Sequence, residues 1–221
     1  MSLPKPNNPV KICNLALSYL AEEFVSDIET PPAGDDTAAL CKLHYPQVRR
    51  ETLRSHSWNF AIKRIELAAD ATAPAFGFTA RYKVPSGFIR YLSKHDALGN
   101  RLLVEPVEGT DYQMEDGYLL TGSTTDGVLR IRYIYDNEDV SSWDPLFVKL
   151  VSVNLALSMA RNFKSAPRAI DDLKDTLREL KAEAKAIDGQ ERPPIRVQHS
   201  RFLNARKNRS STVASKYTTF D

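Results

Sequence analysis

The chain has 221 residues, 42% of them apolar and 26% charged, enough for a sizeable core in a single medium domain or in a compact pair of smaller ones. Nine glycines and thirteen prolines exclude collagen-like and low-complexity chains, and two cysteines without a CxxC, Cys13 and Cys41, exclude a disulfide scaffold and a zinc ribbon. The net charge of +2 is unevenly placed: seven basic against two acidic residues from Glu191 to Asp221 give that tail +5 and leave residues 1–190 at −3.

The opening MSLPKPNNP lacks the charged-then-apolar layout of a signal peptide, so the chain reads as a soluble intracellular protein. Val10, Cys13, Leu17 and Leu20 recur at helical spacing and predict a first helix from Asn8 to about Glu23. A loop around Pro31 and Pro32 follows. Asp35 or Asp36 then caps a second helix to about His56, with Leu40, Leu43, Val48 and Leu53 facing the core. Pro46 falls inside it and predicts a kink or break near Tyr45.

From Trp58 the period changes to two. Phe60 and Ile62 alternate with polar neighbours, as do Leu129, Ile131, Tyr133 and Tyr135 within Val128–Tyr135. Candidate strands between them are Arg81–Val84, Phe88–Ser93, Arg101–Val104, Tyr112–Glu115 and Tyr118–Leu120. Gly99-Asn100, Asp116-Gly117 and Asp126-Gly127 supply turns, and Asp116-Gly117 is the strongest hairpin signal. Residues 58–136 are thus expected to form a small antiparallel sheet or partial barrel.

Ser141 or Ser142 caps a third helix with Pro145 in its first turn. Its run Leu146 to Ala160 is apolar on most faces, which implies burial; it is too short to span a bilayer and is interrupted by Lys149, Ser152 and Asn154. Ser165 caps a fourth helix, striped by Ile170, Leu173, Leu177, Leu180, Ala184 and Ile187 and ended by Gly189, with Asp171 and Asp172 near its positive end. The expected fold is α+β: a four-helix bundle with an inserted small antiparallel sheet or partial barrel and an extended C-terminal tail. Its parts are N-terminal bundle helices (1–57), a β-rich insertion (58–140), C-terminal bundle helices (141–189) and a basic docking tail (190–221). Leu17, Leu20, Trp58, Phe60, Leu150, Leu173, Leu177 and Leu180 are its candidate core, with Trp143 at the cap of the third helix.

Catalytic chemistry is thinly represented. His44, His56, His95 and His199 stand in no HxxxH or HxH spacing, so solvated or structural roles are expected, with no metal and no cofactor. Cys13 and Cys41 read as packing residues. No GxSxG, P-loop or GxGxxG is present. Glu22-Glu23, Asp35-Asp36 and Asp171-Asp172 are carboxylate pairs, but capping and helix-dipole roles account for the last two. The strand aromatics Phe88, Tyr91, Tyr133 and Tyr135 lack an RNA-binding pattern and read as packing. The tail fits a docking peptide better than a nucleic-acid arm. Ile195, Val197, Phe202, Leu203, Val213, Tyr217 and Phe220 offer apolar anchors among Arg192, Arg196, Arg201, Arg206, Lys207, Arg209 and Lys216.

ICNLALSYLAEEFVSDI, followed by AALCKLHYPQVRRETLRSHSWNFAIKRIELA, resembles the tail tubular protein A family of podovirus-type bacteriophages. The matching positions are Ile12 to Glu22, Tyr45, Arg49, Leu53, Trp58, Phe60, Ala61 and Arg64, and VKLVSVNLALSMARNF continues the match. Ala21 stands where the family has a glycine, a departure expected to touch only a loop. The resemblance implies a head-to-tail connector and not an enzyme. In that family a ring of twelve copies joins the portal protein to the tail nozzle, a tubular protein B-like partner. Genomic DNA passes through the lumen on ejection without sequence-specific binding, and no membrane is involved. The implied location is the virion, at the portal–nozzle junction of the viral tail, after synthesis in the host cytoplasm. The tail, Arg192 to Phe220, is then the portal-binding or subunit-binding segment. The alternatives are a phage-associated peptidoglycan hydrolase (a muramidase), which needs two carboxylates about 5–9.5 Å apart beside a groove, and a nucleic-acid-binding module.

Overall fold

A computed structural model of the protein describes residues 8–191, except 33, 97, 100–111, 123–126 and 164–165. In chain order the elements are α1 (Pro9–Leu20), α2 (Asp36–Arg54), β1 (Ile62–Ala68), β2 (Ala80–Lys83), β3 (Phe88–His95), β4 (Gln113–Glu115), β5 (Tyr118–Thr121), β6 (Val128–Tyr135), α3 (Pro145–Met159) and α4 (Pro167–Gln190). The chain falls into two units, Met1–Asp188 and Gly189–Asp221; of the second, only residues 189–191 are described.

Local chemistry sets the helix ends. Asn8 caps α1, its Oδ1 accepting from Lys11 N at 2.7 Å, and Pro9 fills the first position, where its missing N–H costs nothing. The helix stops at Leu20, earlier than the periodicity predicts. Ala21 there is left-handed (φ 57°, ψ 36°), and Glu22 N donates back to Leu17 O at 3.1 Å. The position where the resemblance expects glycine is therefore a helix cap and not a loop of no consequence. Asp35 caps α2 through Ala38 N. That helix is not broken at Pro46, because Pro46 and Lys42 lie on its exposed face, where water can take the carbonyl that loses its donor. The same face carries Leu43, which is 70% exposed and not a core contact.

Helix α3 is capped by Asp144, not by Ser141 or Ser142, which lie in a preceding 3-10 turn. Leu146 N donates to Asp144 Oδ1 at 2.8 Å, and Pro145 again occupies the first position. Gly189 does not end α4: the helix runs to Gln190. Ser165 and the candidate strand Arg101–Val104 lie outside the described residues.

Among the described residues the inserted region forms two three-stranded antiparallel sheets and not one sheet or a partial barrel. Sheet A has the order β1-β6-β3 and sheet B the order β2-β5-β4. The β4–β5 hairpin turns on Asp116 (φ 45°) and Gly117 (φ 73°), the paired positive angles that match strand twist. In β6, Leu129, Ile131 and Tyr133 face one side and join Leu67 of β1, Ala80 and Tyr82 of β2 and Leu119 of β5 in a core shared by both sheets. Ile134 faces the other side and enters the helical core. Irregular register in β3 lets Phe88 and Tyr91 pack on the sheet core while Ile89 and Leu92 pack on the helical one.

Helices α1 and α2 both pack on α3, and α4 adds Leu173, Leu180 and Ala184 to the same core. Leu17, Trp58, Leu150, Leu173 and Leu180 are buried there, with Leu20, Phe60 and Leu177 packed half-buried against them. Near the start of α3, Trp58, Phe60 and Trp143 meet Phe147 with ring centroids 4.8–5.0 Å apart, all edge-on. Both indoles are satisfied, Trp58 Nε1 donating to Thr52 O at 3.0 Å and Trp143 Nε1 to Asn137 O at 3.2 Å.

Candidate functional site

The chemically densest place in the described structure is the seam between α2 and the end of β6. The inward face of α2 carries Tyr45, Val48, Arg49 and Thr52, spaced by three and four. Arg49 meets Asp136 through two parallel bonds, Nε to Oδ1 and Nη2 to Oδ2, both 2.8 Å. Its Nη2 also donates to Glu138 Oε1 at 2.7 Å, and Arg50 Nε donates to Asp136 Oδ2 at 2.7 Å. Both side chains of the central pair are buried, at 7% and 5% exposure. Burial alone would raise the Asp136 carboxyl, but the bonds from Arg49 and Arg50 outweigh it and hold the group below the usual carboxylate range. A carboxylate so held is a poor general acid; it is a tie between sequence-distant elements. Tyr45 Oη is buried beside it without a hydrogen-bond partner, and burial pushes that phenol up.

A second tie fastens α4. His56 Nε2 lies 2.9 Å from Asp188 Oδ2, while Asn59 N donates to Asp188 Oδ1 at 2.7 Å and Asn59 Nδ2 to Asp188 O at 2.9 Å. The His56 ring stands edge-on to Trp58 at 4.8 Å. His56 thus has the structural role expected of it, as part of the lock on the last turn of α4.

Two concavities open on the sheets. One, of about 260 Å³, is lined by Arg64 and Glu66 of β1, Arg130 and Arg132 of β6, and His95, Asp96 and Gly99 at the end of β3. The other, of about 500 Å³, lies beside sheet B between the loop bearing Phe76 and Phe78 and the β4–β5 hairpin. Phe76 is 88% exposed there, and all three residues of β4 are exposed. On the helical side Phe24 and Leu43 are the most exposed large apolar residues.

The twelve candidate docking residues, from Arg192 to Phe220, lie outside the described residues. Of the carboxylate pairs, Asp35 is a helix cap and Asp36 sits in the first turn of α2. Asp171 lies beyond the first turn of α4 and bonds Lys174 Nζ at 2.8 Å. Cys13 and Cys41 are both buried; contact with Cys41 and burial push the Cys13 thiol up, which keeps it protonated and unreactive. Among the described residues no group of three His, Cys, Asp or Glu could hold a metal ion, and no helix is long and apolar enough to cross a membrane.

Sequence reasoning named Arg49 only through the resemblance and missed Asp136 altogether. The one signal was a charged residue directly after the last alternating strand. No protein-family model matches the chain, and no curated protein matches it in sequence.

Proposed function

We propose that this chain is a head-to-tail adaptor of a tailed phage, a ring-forming connector between portal and tail nozzle that lets DNA pass. In this reading the four helices act as a bundle that carries the inserted sheets, and the basic tail docks on the portal or on an adjacent subunit. The protein belongs to the virion, works without a cofactor and is no enzyme. The observation that carries the reading is where the resembling residues lie. Tyr45, Leu53, Trp58 and Ala61 are buried in one cluster, with Phe60 packed against it and Arg49 reaching from the same helix to Asp136. Together they form the seam between helical core and sheet A, so the resemblance follows a particular junction and not a general helical pattern. Exposed apolar residues on both regions, Phe24 and Leu43 on one and Phe76 on the other, fit a subunit with neighbours on several sides.

Light scattering with and without purified portal protein tests the reading. The expected result is a discrete ring, twelve copies by the resemblance, when the portal is present. A protein that stays monomeric and ignores the portal overturns it. Truncation after Gly189 is expected to leave a folded protein that no longer assembles on the portal; normal portal binding by that form removes the role given to the tail.

A further inference from the structure

The two faces of sheet B differ. Side chains directly opposite on paired strands share a face. The β2–β5–β4 register therefore puts Ala80, Tyr82, Leu119 and Met114 on one side and Arg81, Lys83, Tyr118, Leu120, Gln113 and Glu115 on the other. Ala80, Tyr82 and Leu119 enter the core shared by both sheets. Among the described residues Leu120 joins neither buried cluster, yet it is only 6% exposed. It lines the concavity of about 500 Å³ that covers this second face. That volume falls among small-molecule sites, which run to about 300–1,000 Å³.

The loop from Pro74 to Phe78 supplies the facing wall. Its tip is a three-residue turn, Phe78 N donating to Phe76 O at 3.0 Å around Gly77 at φ 82°. A single exposed phenyl ring is ordinary on a protein surface. Phe76, 88% exposed, stands instead on a closed turn beside a groove that the half-buried Phe78 also lines. The sheet wall is braced as well. Arg81 donates to Asp70 Oδ1 from Nε at 3.2 Å and from Nη2 at 3.0 Å, and its guanidinium lies over the Tyr118 ring, 4.5 Å from the centroid. Lys83 Nζ lies over the same ring at 4.6 Å. Gln113 Nε2 donates to Glu115 Oε1 at 2.5 Å on the exposed strand β4, and Asp116, exposed in the hairpin turn, completes the rim.

We propose that this groove binds a neutral saccharide, a pyranose ring laying its C–H face on Phe76 and Phe78 with its hydroxyls toward Gln113, Glu115 and Asp116. Phenyl groups inside a rim of amide and carboxylate oxygens match a ligand with flat apolar faces and a polar edge. Hydroxyls both donate and accept, so they serve the carboxylates and the amide alike, where an aliphatic ligand would strip those groups of water. Glu115 and Asp116 repel a phosphate, and Arg81, the cation of the lining, is already engaged by Asp70. Arg81 and Lys83 on the same face oppose a cation. With a rim this exposed, the expected dissociation constant is about 1 mM. The site needs only sheet B and its loop, so it stands independently of the connector reading.

The full-length chain is titrated with cellobiose and with N,N′-diacetylchitobiose, whose equatorial substituents leave both ring faces flat, and amide chemical shifts are followed. Saturable shifts centred on residues 74–78 and 113–120 are expected with at least one of the two sugars, unchanged when salt is raised. Phe76→Ala, at an exposed position, should melt like wild type and bind roughly tenfold more weakly. Phe76→Trp should restore binding, and Glu115→Gln should weaken it several-fold. No saturable shift with either sugar well above about 1 mM, undiminished binding by Phe76→Ala, or shifts abolished by salt would each overturn the site. N-acetyl-leucine amide separates the occupants. If it moves the same amides at lower concentration than both sugars, the groove is an apolar peptide dock and the saccharide is displaced as its ligand; weaker shifts than the sugars give support the saccharide.

Discussion

Helix α3 and strand β4 show how differently the two halves of the described structure are closed. From Phe147 to Met159 the helix buries most of its residues among α1, α2 and α4, and even its Ser152 hydroxyl is satisfied, donating to Val148 O at 2.9 Å. Strand β4 is three residues long, exposes all of them, and forms an outer edge of sheet B beside the exposed Phe76 loop. The helical core has the closure that holds a fold together. Among the described residues the sheet region keeps open edges and apolar side chains in water, features useful to a surface that meets something else. Closure and exposure thus fall to different regions of the same chain, joined through β6 and the Arg49–Asp136 tie.

Mutation can break that comparison at its strongest point first. Trp58→Ala is expected to cost ~3–5 kcal/mol in a denaturant titration, because the indole is 1% exposed and its Nε1 bond goes with it. A loss below ~1 kcal/mol would place the ring outside the essential core. Asp136→Ala should cost nearly as much, ~3–5 kcal/mol, since it leaves the buried Arg49 with only the exposed Glu138 carboxylate as an ion-pair partner. The same carboxyl fixes a pH dependence. Its folded-state value is depressed, so its contribution is fully present above the unfolded value near 3.8 and is lost as pH falls through the lower, folded one. Acid unfolding of wild type below about pH 4 should therefore be steeper than that of Asp136→Ala.

Smaller effects sharpen the contrast. His56→Ala removes one bond to Asp188 and should cost about 1.5 kcal/mol, visible as earlier exchange of amides in the last turn of α4. Hydrogen exchange on wild type should show β4 amides opening at least tenfold faster than those of α3. Ala21→Gly should stabilise by ~0.5–1 kcal/mol, because alanine is held in a left-handed conformation that glycine adopts freely. Phe76→Ser, in the open region, should change stability by less than ~0.5 kcal/mol while reducing any association that uses that face.

Much of the helical architecture was legible because caps and apolar stripes are local. Asp35 and the step from Leu173 to Leu180 announce themselves within a few residues. The Asp116-Gly117 hairpin was legible for the same reason. The division into two sheets was not, since it depends on β6 entering between β1 and β3, and nothing in alternation alone names a strand's partner. The cap of α3 was misplaced because three residues that can cap, Ser141, Ser142 and Asp144, precede it closely. Arg49–Asp136 and His56–Asp188 share one property: their partners are far apart in the chain, so spacing carries no trace of them.

The packing of α1 on α3 also has a consequence for synthesis. Leu20 leaves the ribosome 139 residues before Met159 completes the helix against which α1 packs. At about 5–20 residues per second that interval is roughly 7–30 s, during which Ile12, Cys13, Ala16 and Leu17 have no α3 to cover them. Helices α1 and α2 of each new chain are thus exposed to chaperones and to one another throughout that interval. Slower elongation lengthens that exposure, and the completion of α3 ends it.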